Sequence, residues 1–126
     1  MDVNSTSAVA VVQFRGSSGN GTPGPVDSVT GQPIIPVVTS DNTDEVSVGD
    51  GTPAADGTPG RIEYALTGGA NPGVANLSVE ALTNSDGSPV EITAPDGTTS
   101  AFPLPAAVAV PVVPEAAVSA DLTVEG

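Results

Sequence analysis

From residue 61 onward the apolar side chains recur at every second position. RIEYAL (61–66) puts Ile62, Tyr64 and Leu66 on one face and Arg61 and Glu63 on the other. NLSVEAL (76–82) repeats this with Leu77, Val79 and Ala81, PVEITA (89–94) with Val90 and Ile92, and AVAVPVV (107–113) with Val108, Val110 and Val112. AVSADLTVEG (117–126) is the most regular: Val118, Ala120, Leu122 and Val124 alternate with Ser119, Asp121, Thr123 and Glu125. A period of two belongs to the β-strand, whose successive side chains point to opposite faces, and its polar half implies a sheet with one face on a core and one in water. No 3.6-residue pattern lasts long enough to predict a helix.

The first half of the chain is less regular. TSAVAVVQFR (6–15) is nearly continuous in apolar residues from Ala8 to Val12, as expected of a strand covered on both faces. IIPVVT (34–39) predicts a strand whose Pro36 cannot donate to a ladder, which assigns it to an edge or a bulge. EVSV (45–48) alternates briefly. Between the strand candidates lie turn residues, notably Asn84-Ser-Asp-Gly87, Asp96-Gly97 and Gly68-Gly69. Asp and Gly tolerate the positive φ that tight hairpins demand. Eight or nine short strands at this spacing predict an all-β fold, an antiparallel β-sandwich of immunoglobulin-like or jelly-roll type.

The core has to come mainly from nineteen valines, five leucines and four isoleucines, because the only aromatics are Phe14, Tyr64 and Phe102. β-Branched residues suit a pleated surface and lose rotamer freedom in helices, which agrees with the strand pattern. GDGTPAADGTPG (49–60) carries DGTP twice, and its place between two strand candidates predicts two consecutive turns in one exposed loop. GSSGNGTPGPVDSVTGQP (16–33) has linker or long-loop chemistry with a weak strand signal at 26–30. It divides the chain into an N-terminal strand with its linker (1–33) and a sandwich domain (34–126).

Fifteen acids stand against two arginines, Arg15 and Arg61, with no lysine and no histidine, for a net charge of −13. Such a body repels itself where screening extends about 8 Å, and far less in molar salt, where the length falls to about 3 Å. Two arginines cannot neutralise a run of phosphates, so nucleic acid is excluded as a partner, and anionic membrane surfaces with it. The apolar stretch 106–118 is broken by Pro111, Pro114 and Glu115 and cannot span a bilayer. The N-terminus lacks a positive region followed by an apolar stretch of signal length, which predicts that Met1 begins the mature protein. The three Asn-x-Ser/Thr sequons, at Asn4, Asn20 and Asn76, are expected by chance in a Ser/Thr-rich chain.

Nucleophilic catalysis needs a base beside the nucleophile, and the many serines here have no His, Lys or Cys to activate them. A carboxylate pair for glycoside hydrolysis would want stacking aromatics that three aromatic residues do not supply. The expectation is a protein that is not an enzyme and holds no cofactor. SDNTDE (40–45) gathers Asp41, Asp44 and Glu45, with Asp50 and Asp56 following, and hard cations such as Ca²⁺ take such oxygens. The spacing lacks the alternation and closing glutamate of an EF-hand loop, so these five are weak Ca²⁺ candidates and solvated surface is the expectation.

Acidity without lysine, alongside abundant Asp, Thr, Val, Gly and Pro, resembles proteins of halophiles that accumulate salt. An acidic protein of a GC-rich bacterium or its phage is the other source with this composition. A small, acidic, cysteine-free β domain with no catalytic equipment and a detachable first strand resembles virion structural proteins, in particular capsid decoration or vertex proteins of tailed viruses of haloarchaea. The resemblance lies in composition and layout along the whole chain, with no diagnostic motif. It implies a virion location after synthesis in host cytoplasm, self-association around a symmetry axis, and attachment to a capsid or other virion proteins. An immunoglobulin-like cell-surface or adhesion module and a tail or fibre subunit are the alternatives. Within this reading Ala8, Ala10, Val12 and Phe14 mark an assembly arm: a loop of about eighteen residues is long for a hairpin connection and lets the first strand reach a neighbour's sheet. Equally, the same strand could close this chain's own sandwich.

Overall fold

The computed structural model describes residues 1–114, 120 and 122–124. Among these there is no helix, and eight strands form three antiparallel sheets. The strands are β1 (Val9–Gln13), β2 (Val38–Ser40), β3 (Val46–Pro53), β4 (Arg61–Gly68), β5 (Gly73–Val79), β6 (Glu91–Thr93), β7 (Thr99–Ala101) and β8 (Val108–Val112). One sheet has the order β1-β4-β3, a second β2-β5-β8, and β6 and β7 make a hairpin of their own. The protein is therefore all-β, as the alternation requires.

β4 is the centre of the first sheet and shows the alternation at full contrast. Ile62, Tyr64 and Leu66 are buried, and Gly68 continues their row. Their partners come from both sheets. Val46 and Leu66 pack with Ala75, Leu77 and Val112, while Ile62 and Tyr64 pack with Phe14, Leu82 and Val90. Phe14 also meets Phe102 edge to face, with centroids 5.7 Å apart. Among the described residues no charged or polar residue is buried as a whole, so the core rests on small and β-branched side chains around one tyrosine. Burial pushes the Tyr64 phenol up to about 12, and its hydroxyl donates to the Pro36 carbonyl.

Residues 9–13, expected either as an arm or as a strand of the chain's own body, lie along β4, with Val9 opposite Ala65 and Gln13 opposite Arg61. The loop that follows is folded against the body: Thr22 N–H donates to the Phe14 carbonyl, and the Asp27 carboxylate accepts from Ser85. Gly24 lies so close to Phe14 that a Cβ there would come within 2.5 Å of the ring. Residues 1–3 belong with the other sheet. Val113 N–H donates to the Met1 carbonyl and Val3 N–H to the Val113 carbonyl, both at 2.9 Å, and Asn4 turns the chain at a φ of 56°.

Several expectations are corrected. GDGTPAADGTPG is not one loop of two turns, because β3 runs on to Pro53 through its first half. The ladder with β4 shifts register between Val48 and Gly51, a bulge that lets the strand pass over Tyr64. A Cβ on Gly51 would fall 2.6 Å from the Tyr64 ring, so glycine is needed there for packing and not for a turn. Only the second DGTP is a hairpin turn. β5 begins at Gly73, before the predicted start, and its phase breaks after Val79: Ala81 is exposed and Leu82 buried. Glu80 N–H still donates to Val37 in the β2–β5 register, but two residues on the Leu82 carbonyl accepts from Val90, so the chain has left the ladder between them. Ile92 is exposed because the β6–β7 hairpin has no sheet across from it, and Val108 is exposed at the start of β8. The expected strand over 117–126 is not seen among its described residues: Ala120, Leu122 and Val124 are exposed and in no strand, while Val118 lies outside the described residues.

Candidate assembly surface

β1 is an edge strand. The Ala8 carbonyl accepts from Leu66 N–H and Phe14 N–H donates to the Gly60 carbonyl, each at 2.9 Å. In an antiparallel ladder alternate residues send both main-chain groups to the same neighbour, so Ala10 and Val12 spend theirs on β4. The Phe14 carbonyl accepts from Thr22, but the Phe14 N–H and the Ala8 carbonyl also point to the side of β4. Val9, Val11 and Gln13 turn theirs away from it. The side chains divide in the same way. Ala8, Ala10 and Val12 are half-buried and Phe14 is buried, all toward this chain's own core, whereas Val9 and Val11 are exposed. The four residues singled out from sequence thus fix β1 in its own sheet, and the open edge belongs to their odd-numbered neighbours. The nearly continuous apolar run hid the phase, and only Phe14 carried a usable signal for it.

Beside this edge, between β1 and the start of β8, runs an apolar groove of about 440 Å³. Val12, Leu77, Val79, Leu104 and Val108 line it, and Arg15 is its one charged lining residue. The groove is the gap where the sheet ending at β1 and the sheet ending at β8 fail to meet. Gln13 closes one end by donating from Nε2 to the Pro59 and Phe14 carbonyls, both at 2.8 Å.

The other five sheet edges are less open to pairing, and the two of the β6–β7 hairpin are only three residues long. β8 contains Pro111, and residues 1–3 occupy the end of its free side. β2 has three residues and follows Pro36, while β3 is bulged and ends on Pro53. Prolines, bulges and short strands are the usual means of blunting an edge. Among the described strands only β1 offers a regular, proline-free edge longer than three residues.

The five carboxylates considered for a cation do not converge. Among the described residues no three acidic side chains gather at one point. Asp41 accepts from the side-chain amide of Asn76 at 2.9 Å and from its main-chain N–H at 2.7 Å, and these bonds hold its carboxyl below the usual carboxylate range. Asp56 is lowered by the Thr58 N–H that it caps at 2.9 Å. Asp44 and Asp50 are exposed on the β2–β3 turn and the β3 bulge. Glu45 lies against Gly73, where a Cβ would come within 2.5 Å of the carboxyl carbon, and its Oε2 is buried without a hydrogen-bond partner.

Fold and edge together define a class: a small, strongly acidic all-β domain whose most open feature is an apolar strand edge. No family model matches the chain, and no curated protein or solved structure matches it.

Proposed function

We propose that the protein is a non-enzymatic structural component of a virus particle, decorating or stabilising the capsid through contacts between copies and with the lattice in high salt. In this reading the two three-stranded sheets are the layers of a sandwich of immunoglobulin-like or jelly-roll type. The observation that carries it is the open β1 edge, with exposed Val9 and Val11 beside an apolar groove, on a body with a net charge of −13. An unpaired edge is a template for another chain, and natural monomers blunt or cover theirs. An acidic body can use such an edge for contacts between copies once salt screens its repulsion.

Native mass at roughly 2 M NaCl, a salt chosen for its short screening length, tests the first half of the reading. An assembly larger than one chain is expected. Electron microscopy of the parent particle with a labelled chain tests the second half, and the label should appear on the capsid shell. A single chain with no particle association would favour an immunoglobulin-like surface module, and label on a tail or fibre would move the protein to that part of the virion.

A further inference from the structure

Resting on the self-association reading, we propose that residues 118–124 of one copy add as a strand to the open edge of β1 in a second copy, covering the groove beside it. The acceptor is, among the described strands, the one regular, proline-free edge longer than three residues, where Val9, Val11 and Gln13 direct main-chain groups away from β4. The donor is the most regular alternation in the chain. Leu122 and Val124 are 96% and 99% exposed, the most exposed large hydrophobic residues described, so they stand clear of their own groove.

The chemistry of the two surfaces fits. A strand laid on β1 with Val118, Ala120, Leu122 and Val124 inward puts apolar side chains over the groove and leaves Ser119, Asp121 and Thr123 in water. Pairing of this kind draws affinity from main-chain hydrogen bonds and register from alternate side chains. The charges are complementary as well: Arg15 is the groove's single charged lining residue, and the donor segment carries Asp121 and then Glu125.

The test uses the full chain at about 2 M NaCl, read by sedimentation mass. The parent is expected as a multiple of the 12.2 kDa chain. Leu122→Asp/Val124→Asp alters only fully exposed positions and should bring the mass down to one chain that still melts cooperatively, lower than the parent by no more than association adds. Val11→Pro removes an N–H that points away from β4, so it should lose association while sparing the chain's own ladder. Mixing the two variants should restore association, because one keeps the acceptor and the other the donor. An assembly whose mass neither variant changes overturns the strand exchange and leaves self-association intact through another surface. A parent that stays a single chain, with Val11 amide exchange that speeds up in the donor variant, also overturns it and places the tail on its own β1. A single chain whose Val11 exchange the donor variant does not change overturns both the exchange and the self-association reading.

Discussion

Four Asp-Gly-Ser/Thr triplets occur in the chain, and they do not all do the same thing. At Asp56, Asp86 and Asp96 the glycine has a φ of 79°, 86° and 88°, its N–H donates to the residue three before it, and the aspartate caps the residue two after itself. At Asp50 the same letters lie in β3, because Val48 continues a half-buried row and Gly51 is pressed under Tyr64. Flanking packing decides between turn and strand, which is why the repeat alone was misleading. The capping bonds have a consequence in acid. The Ser88 and Thr98 hydroxyls and then their N–H groups lower Asp86 and Asp96, the Thr58 N–H lowers Asp56, and the Val29 N–H is the largest influence lowering Asp27. A carboxyl with a folded pKa below its unfolded value of about 3.9 adds stability above that value, and the gain is lost as pH falls through the folded one. Melts in molar salt, where general repulsion is screened, should therefore drop below about pH 4, and Asp86→Ala should flatten that slope. Gly51 gives the second prediction at this scale. Gly51→Ala drives a methyl into a tyrosine held by its bond to Pro36 and should cost about 1–3 kcal/mol in denaturant melts. Gly49→Ala meets nothing nearer than the Ala65 carbonyl at 3.4 Å and should leave stability close to that of the parent.

The elements were legible where the alternation was backed by burial on one side only. β4 buries the face that its alternation predicts, β5 does so as far as Val79, and β8 turns Val112 inward as predicted. The reading failed where a strand ends while its pattern runs on. Ala81 fits the period of β5, yet the chain has already turned toward the 84–88 loop and Leu82 takes the buried place. Nothing in a run of alternating letters marks the residue at which its hydrogen bonds stop. Leu82→Ala should thus cost about 2–5 kcal/mol, the usual range for emptying a buried leucine site. Ala81→Ser, which the plain alternation would call disruptive, should stay within about 0.5 kcal/mol of the parent. Equal losses at the two positions would mean that β5 continues in phase to Leu82. The open edge of β1 was illegible for a related reason. An unbroken apolar run states that a strand is covered, but not which alternate set faces the core, and the choice falls to Phe14 and its contacts with Ile62 and Leu82.

At the scale of the whole molecule, charge and core pull against each other. Among the described residues the buried core is made of hydrophobic residues, so its cohesion is apolar and depends little on dilute salt. The surface carries the net −13, and among the described residues its one ion pair is Arg61–Glu63 at 3.4 Å, with both side chains more than a third exposed. A pair so exposed adds at most about 1 kcal/mol and cannot offset repulsion spread over the whole body. Screening can. Raising ionic strength from about 0.1 M to molar salt shortens the range of repulsion from about 10 Å to about 3 Å. The melting temperature should therefore climb steeply over the first molar of NaCl. KCl should reproduce the climb if screening is the cause, since a Debye length depends on ionic strength and not on the identity of the cation. Association also stabilises a folded chain, so sedimentation mass has to be followed alongside the melts. The donor variant Leu122→Asp/Val124→Asp separates the two causes: screening should raise its melting temperature even as a single chain. A melting temperature that stays flat for that variant would show that salt acts through assembly and that the acidic body is stable without it.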